Sequence, residues 1–175
     1  MNRRLILAAV ACAATALFAA PALAAAPPSD AQIAHIAYTA GQIDIAAGNQ
    51  AIAKSHNAAV LAFAREMVRD HAAVNQKALA LVQKLHVTPE ANPTSAALQS
   101  QATAELATLD KLTGSAFDRA YVANEVAYHK TVNGALRDTL IPNARNAELK
   151  SLLQTGLALF TEHQMHADHL AAELH

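Results

Sequence analysis

The chain has 175 residues with 13 Lys and Arg against 14 Asp and Glu, so its charge is nearly balanced. That balance excludes the basic surface a nucleic-acid partner requires, and no such partner is expected. One cysteine in the whole chain excludes an internal disulfide framework.

The first element is an export signal. Arg3 and Arg4 precede an apolar run from Leu5 to Phe18, broken only by Thr15, and Ala22-Leu23-Ala24 forms a small-x-small cleavage site behind Pro21. This pattern predicts a cleavable signal peptide over residues 1–24, and the run is shorter than the roughly 20 residues of a membrane helix. Cys12 raises a lipoprotein alternative, but Ala9-Val10-Ala11 lacks the usual leucine and the apolar run continues past the cysteine. The Arg-Arg pair alone is too little for the twin-arginine route. Cleavage leaves 151 residues with 11 basic and 14 acidic side chains and no cysteine, enough for one domain with a core. The expected location of that domain, residues 25–175, is the periplasm. No stretch beyond the signal approaches the length of a membrane span.

The remainder is rich in Ala, Leu and Gln, lacks β-branched runs of strand length, and is punctuated by Pro27-Pro28, Pro89, Pro93 and Pro142. Helices should stop near these prolines, which lack an amide donor. A first helix follows Ser29 or Asp30 and runs to about Lys54. Asn57 caps a second that runs to about His86, and a loop covers 87–94. A shorter helix spans about Ser95 to Leu112, Gly114 separates it from a third long helix over about Ser115 to Leu140, and Ile141-Pro142-Asn143 is the last turn. The fourth long helix begins near Asn143 or Asn146 and reaches Glu173. The expected fold is all-α, an antiparallel four-helix bundle with one extra short helix between helices two and three.

Positions three and four apart share a helix face. The apolar stripe of helix one reads Ile33, Ala37, Ala40, Asp44, Ala47 and Ala51. Helix two reads Val60, Ala64, Met67, His71, Ala78, Val82 and Leu85. Helix three reads Asp118, Val122, Glu125, His129, Val132 and Leu136. Helix four reads Leu149, Leu153, Gly156, Phe160, His163, Ala167, Leu170 and Leu174. Each long helix therefore presents an ionisable group near mid-length on its inward face, and a buried charge is costly unless paired or metal-bound. Asp44, His71, Glu125, His129 and His163 are the candidate ligands of a transition metal; Fe, Mn, Zn and Cu all accept imidazole with carboxylate. Taken singly, each histidine is better explained as a core residue whose ring nitrogens find local partners; it is the set, with Asp44 and Glu125, that brings the metal reading level with it. Asp70 points about 100° away from His71 and is expected to serve a neighbouring helix, for instance by setting a histidine tautomer. His166 and His169 share a face with Glu162 and Glu173, read as the solvated side of helix four, and His35, His56, His86 and His175 are assigned no role.

Met67-Val68-Arg69-Asp70-His71, with Asn75 four on, resembles a segment of domain-of-unknown-function family 4142. Phe117-Asp118-Arg119-Ala120-Tyr121, followed by Glu125 and His129, is similar to a second. Asp44, before Ala46-Ala47-Gly48, falls where that family usually has Glu, and His163 matches its last histidine. The resemblance implies a ferritin-like bundle in an exported bacterial protein. The outer-membrane label often attached to such proteins does not fit, because no β-barrel pattern is present. Ferritin-like di-iron centres use Glu-x-x-His on two helices, and no Glu-x-x-His occurs here, which counts against an oxidase. No catalytic motif of high specificity is present. Two functional readings follow: a metal-binding bundle, or a non-enzymatic envelope protein, acting under stress or on a protein partner, whose polar cluster fixes helix register.

Overall fold

The structure is a computed structural model and describes residues 26–174; the predicted signal peptide lies outside them. The described residues form helices and turns with no strand: α1 (Asp30–Lys54), α2 (Ala58–Lys84), α3 (Pro93–Asp110), α4 (Gly114–Ala135), a π-helical turn (Leu136–Leu140), the single turn α5 (Ile141–Asn143) and α6 (Ala147–Glu173).

Local chemistry sets most of the starts. Ser29 and Gln32 form a reciprocal capping box at α1, Asn57 accepts from the amides of Ala59 and Val60, and Asn146 accepts from those of Glu148 and Leu149. Such caps satisfy amides that have no partner within the helix. Asp30, in the first turn of α1, accepts from the backbone amides of Arg145 and Asn146 at 2.8 and 2.9 Å, tying together the starts of α1 and α6.

The sequence-predicted boundaries shift at four places. Helix two ends at Lys84 rather than His86, because His86 turns into the left-handed region (φ 54°). The extra helix is Pro93–Asp110, not Ser95–Leu112: Asn92 is its cap and Pro93 takes the first position, where a missing amide donor is harmless. Gly114 opens α4 instead of separating two helices. The third long helix changes to π geometry at Leu136, with the amide of Ile141 donating to the carbonyl of Leu136 five residues back. Pro142 follows directly and offers no amide of its own, so a wider turn is a natural exit there.

The connection between α1 and α2 is three residues long, so the two helices are antiparallel neighbours; α4 and α6 form the other such pair. Lys54 bonds to Asp110 and lies over the Phe117 ring, which puts the ends of α1 and α3 beside the start of α4. Lys84 pairs with Glu148, which puts the end of α2 beside the start of α6. Thus α1 and α6 run one way, α2 and α4 the other, and the 18-residue α3 carries the chain back along the length of the bundle on the outside of α1. Because α3 covers a second face of α1, that helix buries Ile36, Thr39 and Ile43 as well as Ile33, Ala40, Asp44, Ala47 and Ala51.

Two apolar clusters make up the core of the bundle. The upper one is built around Val60, Phe63, Met67, Leu109, Phe117, Tyr121, Val122 and Leu170. The lower one is built around Ile33, Ile36, Leu136, Leu140, Leu149, Leu153 and Phe160. No helix of the described residues is long and apolar enough to cross a membrane.

Candidate metal centre

Between the two clusters lies a layer of ionisable side chains, one or two from each long helix. Asp44, His71, Glu125, His129 and His163 are all 3% exposed or less. Each occupies the inward line of its helix that carries the apolar residues above and below it, so helical periodicity alone forces them into the core.

The layer is contiguous. Nε2 of His71 is 3.4 Å and Nε2 of His129 is 3.6 Å from the same Asp44 oxygen, Oδ2. Glu125 Oε2 is 3.5 Å from Nδ1 of His129 one turn along α4. The rings of His71, His129 and His163 form a triangle with centroids 5.4–5.7 Å apart. One ring nitrogen from each of these three lies within 4.8 Å of the others, and Asp44, Glu125 and His129 bring one donor each within the same limit.

Two of the histidines are oriented by a bond on the far side of the ring. Nδ1 of His129 lies 3.0 Å from the Glu125 carbonyl, so it carries the proton and Nε2 is left as a bare lone pair. Nε2 of His163 lies 3.1 Å from Asp70 Oδ2, which leaves Nδ1 free. Asp70 is itself gripped by Arg69 at 2.7 and 3.0 Å. An oriented imidazole with one nitrogen tied down is the usual state of a metal-ligating histidine. Asp70 therefore does act on a neighbouring helix, as its direction on α2 suggests.

The electrostatics leave the layer incomplete. Both oxygens of Asp44, both of Glu125, both nitrogens of His71, Nε2 of His129 and Nδ1 of His163 are buried with no hydrogen-bond partner outside the layer; within it, Glu125 is in reach of the Asp44 carboxyl and the Tyr121 hydroxyl. Burial pushes the Asp44 carboxyl well above its ordinary range, and the neighbouring Glu125 charge adds to the rise while His129 opposes it. Burial also pushes Glu125 up to about 8. His71 is driven down to about 2 by burial and then by the other two histidines, and so is neutral at physiological pH. Burial lowers His163 too, against the pull of Asp70. For Asp70 desolvation acts upward, but the bonds from Arg69 and His163 outweigh it and hold the carboxyl low, hence ionised.

All five sequence-predicted ligands are brought into this layer. Sequence reasoning missed its surroundings. Tyr121 places a buried hydroxyl beside Glu125, within reach of its carboxyl, and Tyr128 donates to the Ala40 carbonyl at 2.8 Å. Asn133, one turn beyond His129, reaches the Phe160 carbonyl. His166 is not simply solvated: it pairs with Glu66 across α2 and α6 at 2.9 Å and stands edge-on to Phe63. Only the i, i+4 spacing of Glu66 with Asp70 and the i, i+3 spacing of His163 with His166 hinted at that second cluster.

Fold and site together define a class: an all-α bundle of antiparallel helix pairs with a buried histidine–carboxylate layer that could hold a metal. The chain belongs to the family described as Domain of unknown function (DUF4142), whose sequence profile matches residues 14–170. No curated protein and no solved structure matches it.

Proposed function

We propose that the chain is an exported, periplasmic metal-binding protein built on a ferritin-like bundle. In this reading Asp44, His71, Glu125, His129 and His163 hold one divalent transition-metal ion. The single observation that carries it is the set of buried, unpartnered donor atoms facing one another across four helices. Polar groups taken out of water without a partner each cost roughly 1–3 kcal/mol, and a layer whose atoms find no partner outside it is hard to retain unless something completes it. A divalent cation does so stoichiometrically, since two carboxylates neutralise it and neutral imidazoles supply the remaining donors. His71 is already neutral at pH 7, and the bonds of His129 and His163 already point one lone pair of each inward.

The ferritin-like part rests on connectivity: one long crossover between parallel helices, here made by α3, distinguishes such bundles from up-down-up-down ones. The donor set differs from a di-iron centre, with three histidines, two carboxylates and no Glu-x-x-His, and it suits a single ion of Zn, Fe, Cu or Mn. Export rests on the three-part pattern of residues 1–24. A purely structural polar layer accounts less well for these side chains, because a structural network satisfies its own members.

The test is elemental analysis of protein purified from the periplasmic fraction, beside a variant with His71, His129 and His163 all replaced by Leu. About one ion per chain in the native protein and none in the folded variant supports the reading. Equal, background metal in both removes it.

A further inference from the structure

The lower half of the bundle is not solid. A cavity of about 570 Å³ runs between the walls formed by α1, α2, α4 and α6. It exists because small residues face one another there: Ala37 and Ala40 on α1, Ala78 on α2 and Gly156 on α6 all line it. Protein interiors rarely keep voids larger than a water molecule, whereas this volume falls in the range of sites that enclose small-molecule ligands. Its rim includes the exposed Pro93 and Thr94, and its wall reaches His71 and His129 of the polar layer.

The lining defines what would fit. Among the described residues, no Asp, Glu, Lys or Arg lines the cavity. A charged head group would have no counter-charge and would be costly to bury. The polar groups present are mostly occupied. Tyr128 donates to Ala40, His129 Nδ1 donates to Glu125, and Asn75 reaches the Tyr38 carbonyl. His129 lacks a partner at Nε2, which faces Asp44, and His71 lacks one at both ring nitrogens. His71 is 3% exposed and its ring stacks on Phe160 at 4.4 Å. With Nε2 turned to Asp44 and the metal layer, Nδ1 carries a proton with no acceptor. Metal-ligating histidines nearly always give that proton to an oxygen, as the orientations of His129 and His163 illustrate. His71 is part of the cavity wall, so a small turn of its ring lets an oxygen bound in the cavity serve as that acceptor.

We infer that this cavity is a binding site for an uncharged, apolar molecule bearing one hydroxyl or carbonyl oxygen, with the oxygen at His71 and the hydrocarbon body against Ala37, Ala78 and Gly156. The role of the oxygen as acceptor rests on the metal reading above; the apolar body of the ligand does not.

The experiment is displacement of the neutral dye N-phenyl-1-naphthylamine from the purified chain, with 1-decanol, decane and decanoate as competitors. The dye brightens on binding, 1-decanol displaces it, and decanoate at pH 8 is about tenfold weaker or worse because its charge finds no partner. Ala78→Phe, and independently Ala37→Leu, fill the cavity; both weaken dye and decanol binding while the melting temperature holds or rises. His71→Leu removes the preference for 1-decanol over decane. No dye enhancement, or binding unchanged in both cavity-filling variants, overturns the inference. Each titration is run on zinc-loaded and on chelated protein. Decanol binding without any zinc uptake supports the cavity and removes the metal reading, whereas zinc uptake without decanol binding removes the cavity proposal alone.

Discussion

Replacing Glu125 by Gln takes one titrating group out of the polar layer while keeping its shape. Burial raises Glu125 from the ordinary 4.5 to about 8. A carboxyl raised in the folded state contributes stability that is fully present below its unfolded value and lost as pH rises through the folded one. Between pH 5.5 and pH 8 this group alone therefore removes about 3 kcal/mol from the metal-free fold. Asp44 acts in the same direction. His71 and His163, both lowered, contribute stability that is present above their ordinary 6.5 and lost as pH falls. His71 and His163 remain in the variant and cancel in the comparison, whereas Asp44 loses the upward push of the Glu125 charge, which adds to the gain in the same direction. Urea unfolding of chelated protein at pH 5.5, 7 and 8 measures the difference. Glu125→Gln should gain on the native protein by about 3 kcal/mol between the first and last pH. Added zinc should reverse the order at pH 8, since it stabilises the native layer by binding and the amide is a far poorer ligand. A variant that is less stable than native by the same amount at every pH refutes the reasoning, because Glu125 would then be a satisfied structural carboxyl.

Other perturbations separate the fold from the site. Asp70→Ala removes the oxygen that orients His163; it should weaken metal affinity by roughly 10- to 100-fold and lower chelated stability by about 1–3 kcal/mol, because the buried Nε2 loses its acceptor. Competition with a chromophoric chelator and urea unfolding read these out. Gly48→Ala puts a methyl 2.8 Å from Val68 Cγ2 and 3.1 Å from the Ala64 carbonyl. It should lower stability by about 1–3 kcal/mol through forced separation of α1 and α2, seen as a fall in the thermal midpoint. Asn146→Ala deletes the cap of α6 and should cost about 1 kcal/mol in urea unfolding at any metal loading.

The inward stripe of the last helix was legible up to its end: Leu149, Leu153, Gly156, Phe160, His163, Ala167 and Leu170 are all buried, and only Leu174, just past the helix, is half-buried. One face of α6 packs on its neighbours, and a 3.6-residue period is all that is needed to find it. On α1 the same reading found only half of the buried surface, because Ile36 and Ile43 face α3, whose docking no local pattern of α1 encodes. The π turn was hidden because its geometry depends on where Pro142 falls against the lower core, not on the composition of Leu136–Leu140. Ala37, Ala78 and Val82 lie on their stripes as read, yet they line a cavity instead of filling one. Periodicity says which way a side chain points and nothing about whether an atom meets it. The five ligand candidates were legible for the opposite reason. Charged groups on apolar lines are conspicuous, while partners such as Glu66 with His166 depend on the rotation of two helices about their own axes.

A crystal of the chain grown with zinc, measured at the zinc absorption edge, shows outright whether the polar layer holds an ion. One strong anomalous peak is expected inside the bundle, about 2.0–2.2 Å from Nε2 of His71, Nε2 of His129, Nδ1 of His163 and one oxygen each of Asp44 and Glu125. An empty polar layer, with zinc found only at exposed positions such as His166 or His169, would contradict it.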